Sequence, residues 1–115
     1  MHEYGIVAAL MERVEAEAGA RGANAVRHLE VALGELSGVE PTLLETAWQV
    51  FRERSICERA ELHLTTVPAR WECSQCGAAV KPGNMLQCTK CGAPARLAAG
   101  DEIVLSRIVM EVPHV

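Results

Sequence analysis

Two short cysteine pairs constrain this chain more than any other part of its sequence. Cys73 and Cys76 are separated by two residues, and after eleven intervening residues Cys88 and Cys91 repeat the pattern; a glycine follows each pair. This spacing lets both thiolates of a pair point to one side of a tight turn, and the glycine can adopt a positive φ that brings backbone N–H groups towards the sulfurs. Four thiolates favour tetrahedral zinc or iron, so the pattern predicts one metal centre.

A metal held by four thiolates is expected to be structural, because the filled tetrahedron leaves no position for water or substrate. The neighbouring segments 78–84 and 93–94 are rich in turn-forming residues and are not expected to form a core. The metal should therefore supply most of the folding energy of a module at residues 70–98. A rubredoxin-like iron site that carries one electron is the alternative.

Composition narrows the class of protein. A chain of 115 residues is expected to form one compact domain with the metal module embedded in it. Its net charge of −4 and its four aromatic residues argue against a nucleic-acid partner. No apolar run in the sequence approaches the length of ~20 residues that is needed to cross a bilayer, and the sequence shows no secretory signal. These observations predict a cytoplasmic protein without a membrane partner. Reduced thiols in that compartment suit metal binding better than disulfides.

Apolar periodicity predicts two helices and three strands outside the metal module. Residues 3–18 place apolar side chains at helical spacing, and a second one-sided helix is predicted to begin at Glu40-Pro41, with the proline at its first position. Alternation of apolar and polar residues predicts strands at 28–33 and 61–65 and a third strand at 102–112.

These elements predict an α+β fold, with two helices on a small three-stranded sheet and an inserted zinc-ribbon-like module that contains the four paired cysteines. Two one-sided helices need one sheet face to cover. Residues 1–69 and 99–115 are then one domain, interrupted by the module at 70–98. The pattern leaves the strand order open, although a right-handed crossover would make the first two strands parallel.

The amino terminus, Met1-His2-Glu3, is a candidate for a second metal site. The α-amine of Met1, the amide nitrogen of His2 and its imidazole can close fused chelate rings, a nitrogen set that favours square-planar nickel(II) or copper(II). Glu3 would add a second amide nitrogen or a carboxylate oxygen. The alternative is that His2 is only a polar residue at a frayed chain end.

Other chemistry-bearing residues have simpler interpretations. His28, His63 and His114 are expected to be exposed or half-buried strand residues, although one of them could complete a nickel coordination sphere. Cys57, near the end of the second helix, is expected to be a small packing residue and not a nucleophile. The sequence contains no catalytic triad and no glycine-rich nucleotide loop, so the chain is not expected to be an enzyme.

Several motifs in order resemble the HypA/HybF family of hydrogenase nickel-incorporation proteins. They are Met1-His2-Glu3, the segments 34–41 and 100–103, Val67-Pro68 and the two Cys-x-x-Cys-Gly motifs, and together they span nearly the whole chain. The resemblance implies a nickel metallochaperone. It further implies that His2 binds nickel with backbone nitrogens and with help from Glu3, while Cys73, Cys76, Cys88 and Cys91 hold structural zinc.

The resemblance also implies partners. The family hands nickel to the large subunit of [NiFe]-hydrogenase and works with the GTPase HypB, which would account for the missing nucleotide loop; some members also serve urease. The chain is expected to be a monomer or a weak homodimer. A zinc-stabilised adaptor that binds a protein and no nickel is the alternative.

Two departures from the family pattern concern the nickel site. Tyr4 and Gly5 follow Glu3 where the family commonly has Leu-Ser or Met-Ser, so Tyr4 could cover the metal. Some members have a histidine in the zinc module as an additional nickel ligand, and none lies between Cys73 and Cys91 in this chain.

Overall fold

The computed structural model of the chain describes residues 2–83 and 85–113. The elements in chain order are α1 (His2–Ala20), β1 (Ala25–Gly34), α2 (Pro41–Phe51), β2 (Glu61–Val67), β3 (Arg70–Cys73), β4 (Ala79–Val80), β5 (Ala95–Ala99) and β6 (Ile103–Glu111). Two candidate ligands, Met1 and His114, lie outside the described residues. Neither helix in the described part of the chain is long and apolar enough to cross a membrane.

The main sheet has the strand order β2-β1-β6. The central strand β1 is parallel to β2, with His28 opposite Glu61, and antiparallel to β6, with Glu30 opposite Arg107. The chain reaches β2 from β1 through α2, so the predicted crossover between parallel strands is confirmed.

Both helices pack on one face of this sheet and on each other. The helical and strand periods of the sequence explain why, since each element buries one row of apolar side chains. The α+β prediction of two helices on a three-stranded sheet is confirmed. The buried members include Val7, Met11, Val14 and Ala18 of α1, Leu29, Val31 and Leu33 of β1, and Leu44, Ala47 and Trp48 of α2.

The cysteine-containing segment forms a sheet of its own, which the sequence analysis missed. Its order is β4-β3-β5, with β3 antiparallel to both neighbours. Residues 78–84 were not expected to build a core of their own, and Val80 is the buried residue of the segment 78–83, where it packs with Cys73, Cys88 and Trp71. A strand of two residues, Ala79–Val80, is too short to show the period-two pattern by which strands are recognised.

Cys57 lies beyond α2 and not within its last turn. The helix ends at Phe51, and Cys57 follows in the turns that lead to β2, with none of its surface exposed. It belongs to the main core, as expected for a packing residue.

The molecule is longer than one compact domain of its size would be. Its Cα radius of gyration is 18.3 Å and its extents are 60 × 33 × 17 Å, whereas a compact chain of this length has a radius of gyration of about 13 Å. The main core and the cluster around the cysteines share no residue. The chain is therefore less compact than expected and has two packed clusters, while the division into a main domain and a module at residues 70–98 stays a prediction.

The chain passes between the two sheets twice, from β2 to β3 and from β5 to β6. Both of these links are hydrogen-bonded to the end of β1 and the residues that follow it. In the first link, the backbone N–H of Ala69 donates to Glu35 Oε1 at 2.7 Å. In the second, Gly100 O accepts the backbone N–H of Leu36, also at 2.7 Å, while the N–H of Gly34 donates to Glu102 O at 2.8 Å. The segment 34–36 thus holds the chain where it enters and leaves the cysteine module.

Candidate metal centres

Each cysteine pair closes a turn of the same kind. The carbonyl oxygen of Cys73 accepts the N–H of Gly77 at 3.1 Å, and that of Cys88 accepts the N–H of Gly92 at 2.9 Å. The two glycines have φ of 74° and 73°, in the left-handed region where residues with a Cβ are strained. The expected positive φ after each pair is confirmed.

The two turns face each other and bring the four sulfurs together. The Sγ atoms of Cys73 and Cys91 are 3.2 Å apart, those of Cys76 and Cys88 are 3.7 Å apart, and all four lie within 4.8 Å of one another. Zinc with Zn–S bonds of about 2.3 Å in a tetrahedron requires sulfurs about 3.8 Å apart. The donor set therefore fits one tetrahedral ion.

Backbone N–H groups favour the thiolate form of the first cysteine in each pair. The N–H groups of Cys76 and Gln75 both donate to Cys73 Sγ at 3.4 Å and lower the pKa of that thiol to about 6. The N–H groups of Cys91 and Lys90 likewise lower the pKa of Cys88. These two buried sulfurs are thereby prepared as metal ligands.

Cys91 shows why the cluster suits a cation. The backbone N–H of Ala93 acts to lower the pKa of this thiol, but the sulfurs of Cys73, Cys88 and Cys76 and partial burial raise it to about 12. Four thiolates at these distances repel one another, and a divalent ion at their centre would allow all four to ionise.

The amino-terminal candidates lie at the start of α1. His2 is the first residue of the helix and is exposed, whereas Glu3 is only 5% exposed. A Glu3 carboxylate oxygen accepts the backbone N–H of Glu40 at 3.2 Å. The N–H groups of Glu40 and of Glu3 itself lower the pKa of this carboxyl to about 2. Glu3 therefore connects the starts of α1 and α2, a contact that no local sequence pattern shows.

Tyr4 packs against the end of α2. Its ring lies 6.1 Å from that of Phe51 between centroids, at an angle of 54°, and the side chain is 41% exposed. Whether Tyr4 covers a metal at the amino terminus stays a prediction.

His28 and His63 lie side by side on the sheet face that the helices leave uncovered, with Glu61 next to them. The structure thus places them on the opposite side of the main sheet from α1, which carries His2 at its start. Their strand positions agree with the sequence analysis. Their proximity depends on the parallel pairing of β1 and β2, which no local pattern specifies.

These features define a small α+β metal-binding protein with a four-thiolate centre in a separate module. The comparison with known families is specific. Residues 1–110 match the family described as "Hydrogenase/urease nickel incorporation, metallochaperone, hypA". The chain belongs to the HypA family, which confirms the resemblance seen in its motifs.

Named relatives match over almost their whole length. The chain is 44% identical to the hydrogenase maturation factor HypA of Wolinella succinogenes over 114 residues, with 96% of each chain covered. It is 39% identical to the protein of that name from Shewanella oneidensis over 113 residues, again with 96% of each covered. The solution structure of the Ni metallochaperone HypA from Helicobacter pylori aligns with a TM-score of 0.75 at 29% identity, over 98% of this chain and 100% of that one.

Membership in this family decides between the classes of protein considered above. A metallochaperone carries a metal and catalyses no reaction of its own, so the prediction that the chain is not an enzyme is confirmed. The rubredoxin-like alternative is set aside, because electron transfer is not the function of this family.

Proposed function

We propose that this chain binds nickel(II) at its amino terminus and delivers it during maturation of [NiFe]-hydrogenase, while its four paired cysteines hold structural zinc. The main support is the position of His2, which is exposed at the first turn of a helix whose other face is packed in the core. A ligand there is accessible for metal exchange and attached to a rigid support. The family match supplies the choice of nickel as cargo.

The proposed nickel ligands are the α-amine of Met1, the imidazole of His2 and backbone amide nitrogens of His2 and Glu3. The first four N–H groups of an α-helix have no acceptor within the helix. Nickel can therefore replace the proton of the His2 amide without breaking a helical hydrogen bond, whereas at Glu3 it would replace the N–H that donates to the residue's own carboxylate. The Glu3 carboxylate already accepts the N–H of Glu40, which favours a backbone contribution from Glu3 over a carboxylate one.

The zinc assignment follows from the donor set. Cys73, Cys76, Cys88 and Cys91 fill a tetrahedron and leave no open position, so an ion there is held and not exchanged. The two metals then have separate roles, with zinc as the support and nickel as the cargo.

Delivery requires partners, for which we propose the large subunit of [NiFe]-hydrogenase and the GTPase HypB. The relatives named above are hydrogenase maturation factors, which favours hydrogenase as the client over urease. A nucleotide-driven step would belong to HypB. We further propose that the chain acts in the cytoplasm as a monomer or a weak homodimer.

A nickel titration of the zinc-loaded, untagged chain tests the proposal. We expect one tightly bound equivalent by calorimetry, and His2→Ala should weaken it by at least about 100-fold while zinc content and helix signal stay unchanged. Adding three serines before Met1 should have a similar effect, because the new α-amine is then too far along the chain to share fused chelate rings with the His2 imidazole.

The matched control adds three serines at the carboxyl terminus and should bind nickel as the wild type does. Wild-type nickel affinity in His2→Ala would overturn the proposal, and so would loss of zinc in that variant.

A further inference from the structure

The uncovered face of the main sheet brings two histidines and two carboxylates together. In the parallel pairing of β1 with β2, His28 lies opposite Glu61 and Glu30 lies opposite His63. Alternate residues of a strand share a face, so all four side chains project away from the helices, opposite Leu29, which is buried beneath them. Two neighbouring strands thus present one His and one Glu each.

The distances suit metal coordination. The rings of His28 and His63 are 4.4 Å apart between centroids. One ligand atom from each of His28, Glu61 and His63 lies within 4.8 Å of the other two. Donors at 2.0–2.2 Å from one ion are separated by about 3–4 Å, so small side-chain rotations would place these three around a metal. His63 and Glu61 are 58% and 77% exposed and can make that adjustment.

The two carboxylates have different surroundings. Glu30 Oε2 lies 3.0 Å from His28 Nε2 and 3.6 Å from the guanidinium of Arg107. Glu30 is therefore already paired with a cation and can orient the His28 ring through one nitrogen while the other faces a metal. Glu61 lies 3.4 Å from His63 Nε2 and, on the edge strand, has the freedom to turn towards an ion.

We propose that His28, His63 and Glu61 form a binding site for a divalent late first-row transition metal ion, with Glu30 orienting His28. Two imidazoles and one carboxylate match the preferences of zinc, nickel and copper and leave coordination positions open, so an ion here exchanges readily. The site shares no residue with the cysteine cluster or the amino terminus. It therefore does not depend on the nickel proposal.

The test uses zinc(II) as the probe on full-length His2→Ala protein whose cysteine site is already loaded with one equivalent of zinc. We expect calorimetry to show a second equivalent and ¹⁵N NMR to show shifts of the ring nitrogens of His28 and His63. His63→Ala and His28→Ala should each weaken the second equivalent by at least about 10-fold. Thr65→Ala removes an exposed side chain from the same face of β2 and should bind as the parent does.

Two results would overturn this proposal. One is a second equivalent that keeps its affinity in His63→Ala, which would place the ion elsewhere. The other is the absence of ring-nitrogen shifts up to millimolar zinc, which would leave the histidines as ion-pair partners of Glu30 and Glu61 only. His63→Asn, which keeps a polar side chain at this exposed position, provides a second variant if His63→Ala alters the circular dichroism spectrum.

Discussion

Glu3 illustrates, at the scale of a single residue, how the fold changes the meaning of a sequence motif. Read along the chain, it is the neighbour of His2 and a candidate carboxylate ligand. In the fold its carboxylate is buried and accepts the backbone N–H of Glu40. This contact holds the amino terminus against the start of α2, and the nickel ligands proposed at that terminus would depend on it for their position.

The stability of the chain should depend on the ionisation of Glu3. The backbone N–H of Glu40, followed by that of Glu3 itself, lowers its pKa from 4.5 to about 2. A carboxyl whose pKa is lower in the folded state stabilises the fold above its unfolded pKa, and this contribution is lost as the pH falls from about 4.5 towards 2. Glu3→Gln should thus be less stable than the wild type at pH 7, with the difference shrinking by pH 2.5. Urea unfolding at several pH values measures it.

The control for this experiment is Glu12→Gln, which removes an exposed carboxylate from the same helix. A gap between wild type and Glu3→Gln that stays constant from pH 7 to pH 2.5 would contradict the role assigned to the Glu3 carboxylate.

Cys57 should behave as a packing residue. Its side chain is fully buried in the main core, and burial, with a smaller contribution from Glu15, raises the pKa of its thiol to about 11. Cys57→Ala should cost about 1–2 kcal/mol from the cavity it leaves. Cys57→Ser keeps the volume but buries a hydroxyl without a partner. It should therefore lower the free energy of unfolding by about 1–3 kcal/mol more than Cys57→Ala does. Urea unfolding compares the two variants, and a serine variant as stable as the wild type would show a polar environment instead.

At the scale of secondary-structure elements, the links between the sheets depend on close backbone contacts. A Cβ on Gly100 would lie 2.5 Å from Ala69 Cα, and one on Gly34 would lie 2.3 Å from the carbonyl group of Gly100. Gly100 also has φ of 106°. The backbone segments at Gly34, Ala69 and Gly100 therefore lie so close together that a side chain on either glycine does not fit.

Gly100→Ala should destabilise the protein by more than its backbone conformation alone explains. Gly38 also has a positive φ, 79°, but a Cβ there meets nothing within 4 Å, so Gly38→Ala measures the conformational cost alone, about 1–2 kcal/mol. Gly100→Ala should exceed it by about 1–3 kcal/mol because backbone atoms have to move. Chemical denaturation of the two variants gives the difference, and equal losses would mean that the links can relax.

At the scale of the whole molecule, the two clusters of buried residues differ greatly in size. The main core contains the buried residues of α1, β1 and α2, whereas the cluster at the cysteines buries only Cys73, Val80 and Cys88 among the residues that the structure describes. Two of these three are proposed metal ligands. We therefore propose that residues 70–98 form a unit whose fold depends on its metal, while residues 1–69 and 99–115 do not depend on it.

Removal of zinc by a chelator should unfold this module alone. Amide hydrogen exchange should become fast in β3 and β5, while β1 and α1 keep their protection because their core contains no cysteine of the cluster. Cys73→Ala should have the same regional effect without a chelator. Cooperative loss of protection across the whole chain would contradict the division. His2→Ala, which leaves the cysteines in place, is the matched control.

The sequence alone determined the features that depend on neighbours along the chain. These features are the helical period of α1 and α2, the alternation in β1, β2 and β6, and the repeated cysteine turns. They can be recognised locally, because residues two apart in a strand, or three to four apart in a helix, lie on the same face. The family motifs were equally readable. The strand β4 was missed because it has only two residues, and β3 and β5 were missed because their alternation depends on a cysteine assigned to the metal and on alanines, which mark no clear apolar face.

Only the tertiary structure decided which distant residues meet. Glu3 reaches Glu40 across 37 positions, and His28 meets His63 through the parallel register of β1 and β2. Gly34 and Gly100 touch because both sheet links pass the end of β1. These contacts depend on how whole elements pack, which no local periodicity specifies. The cysteine pairs were readable as a metal centre because each half is local; the packing of the elements decided where that centre lies relative to the amino terminus.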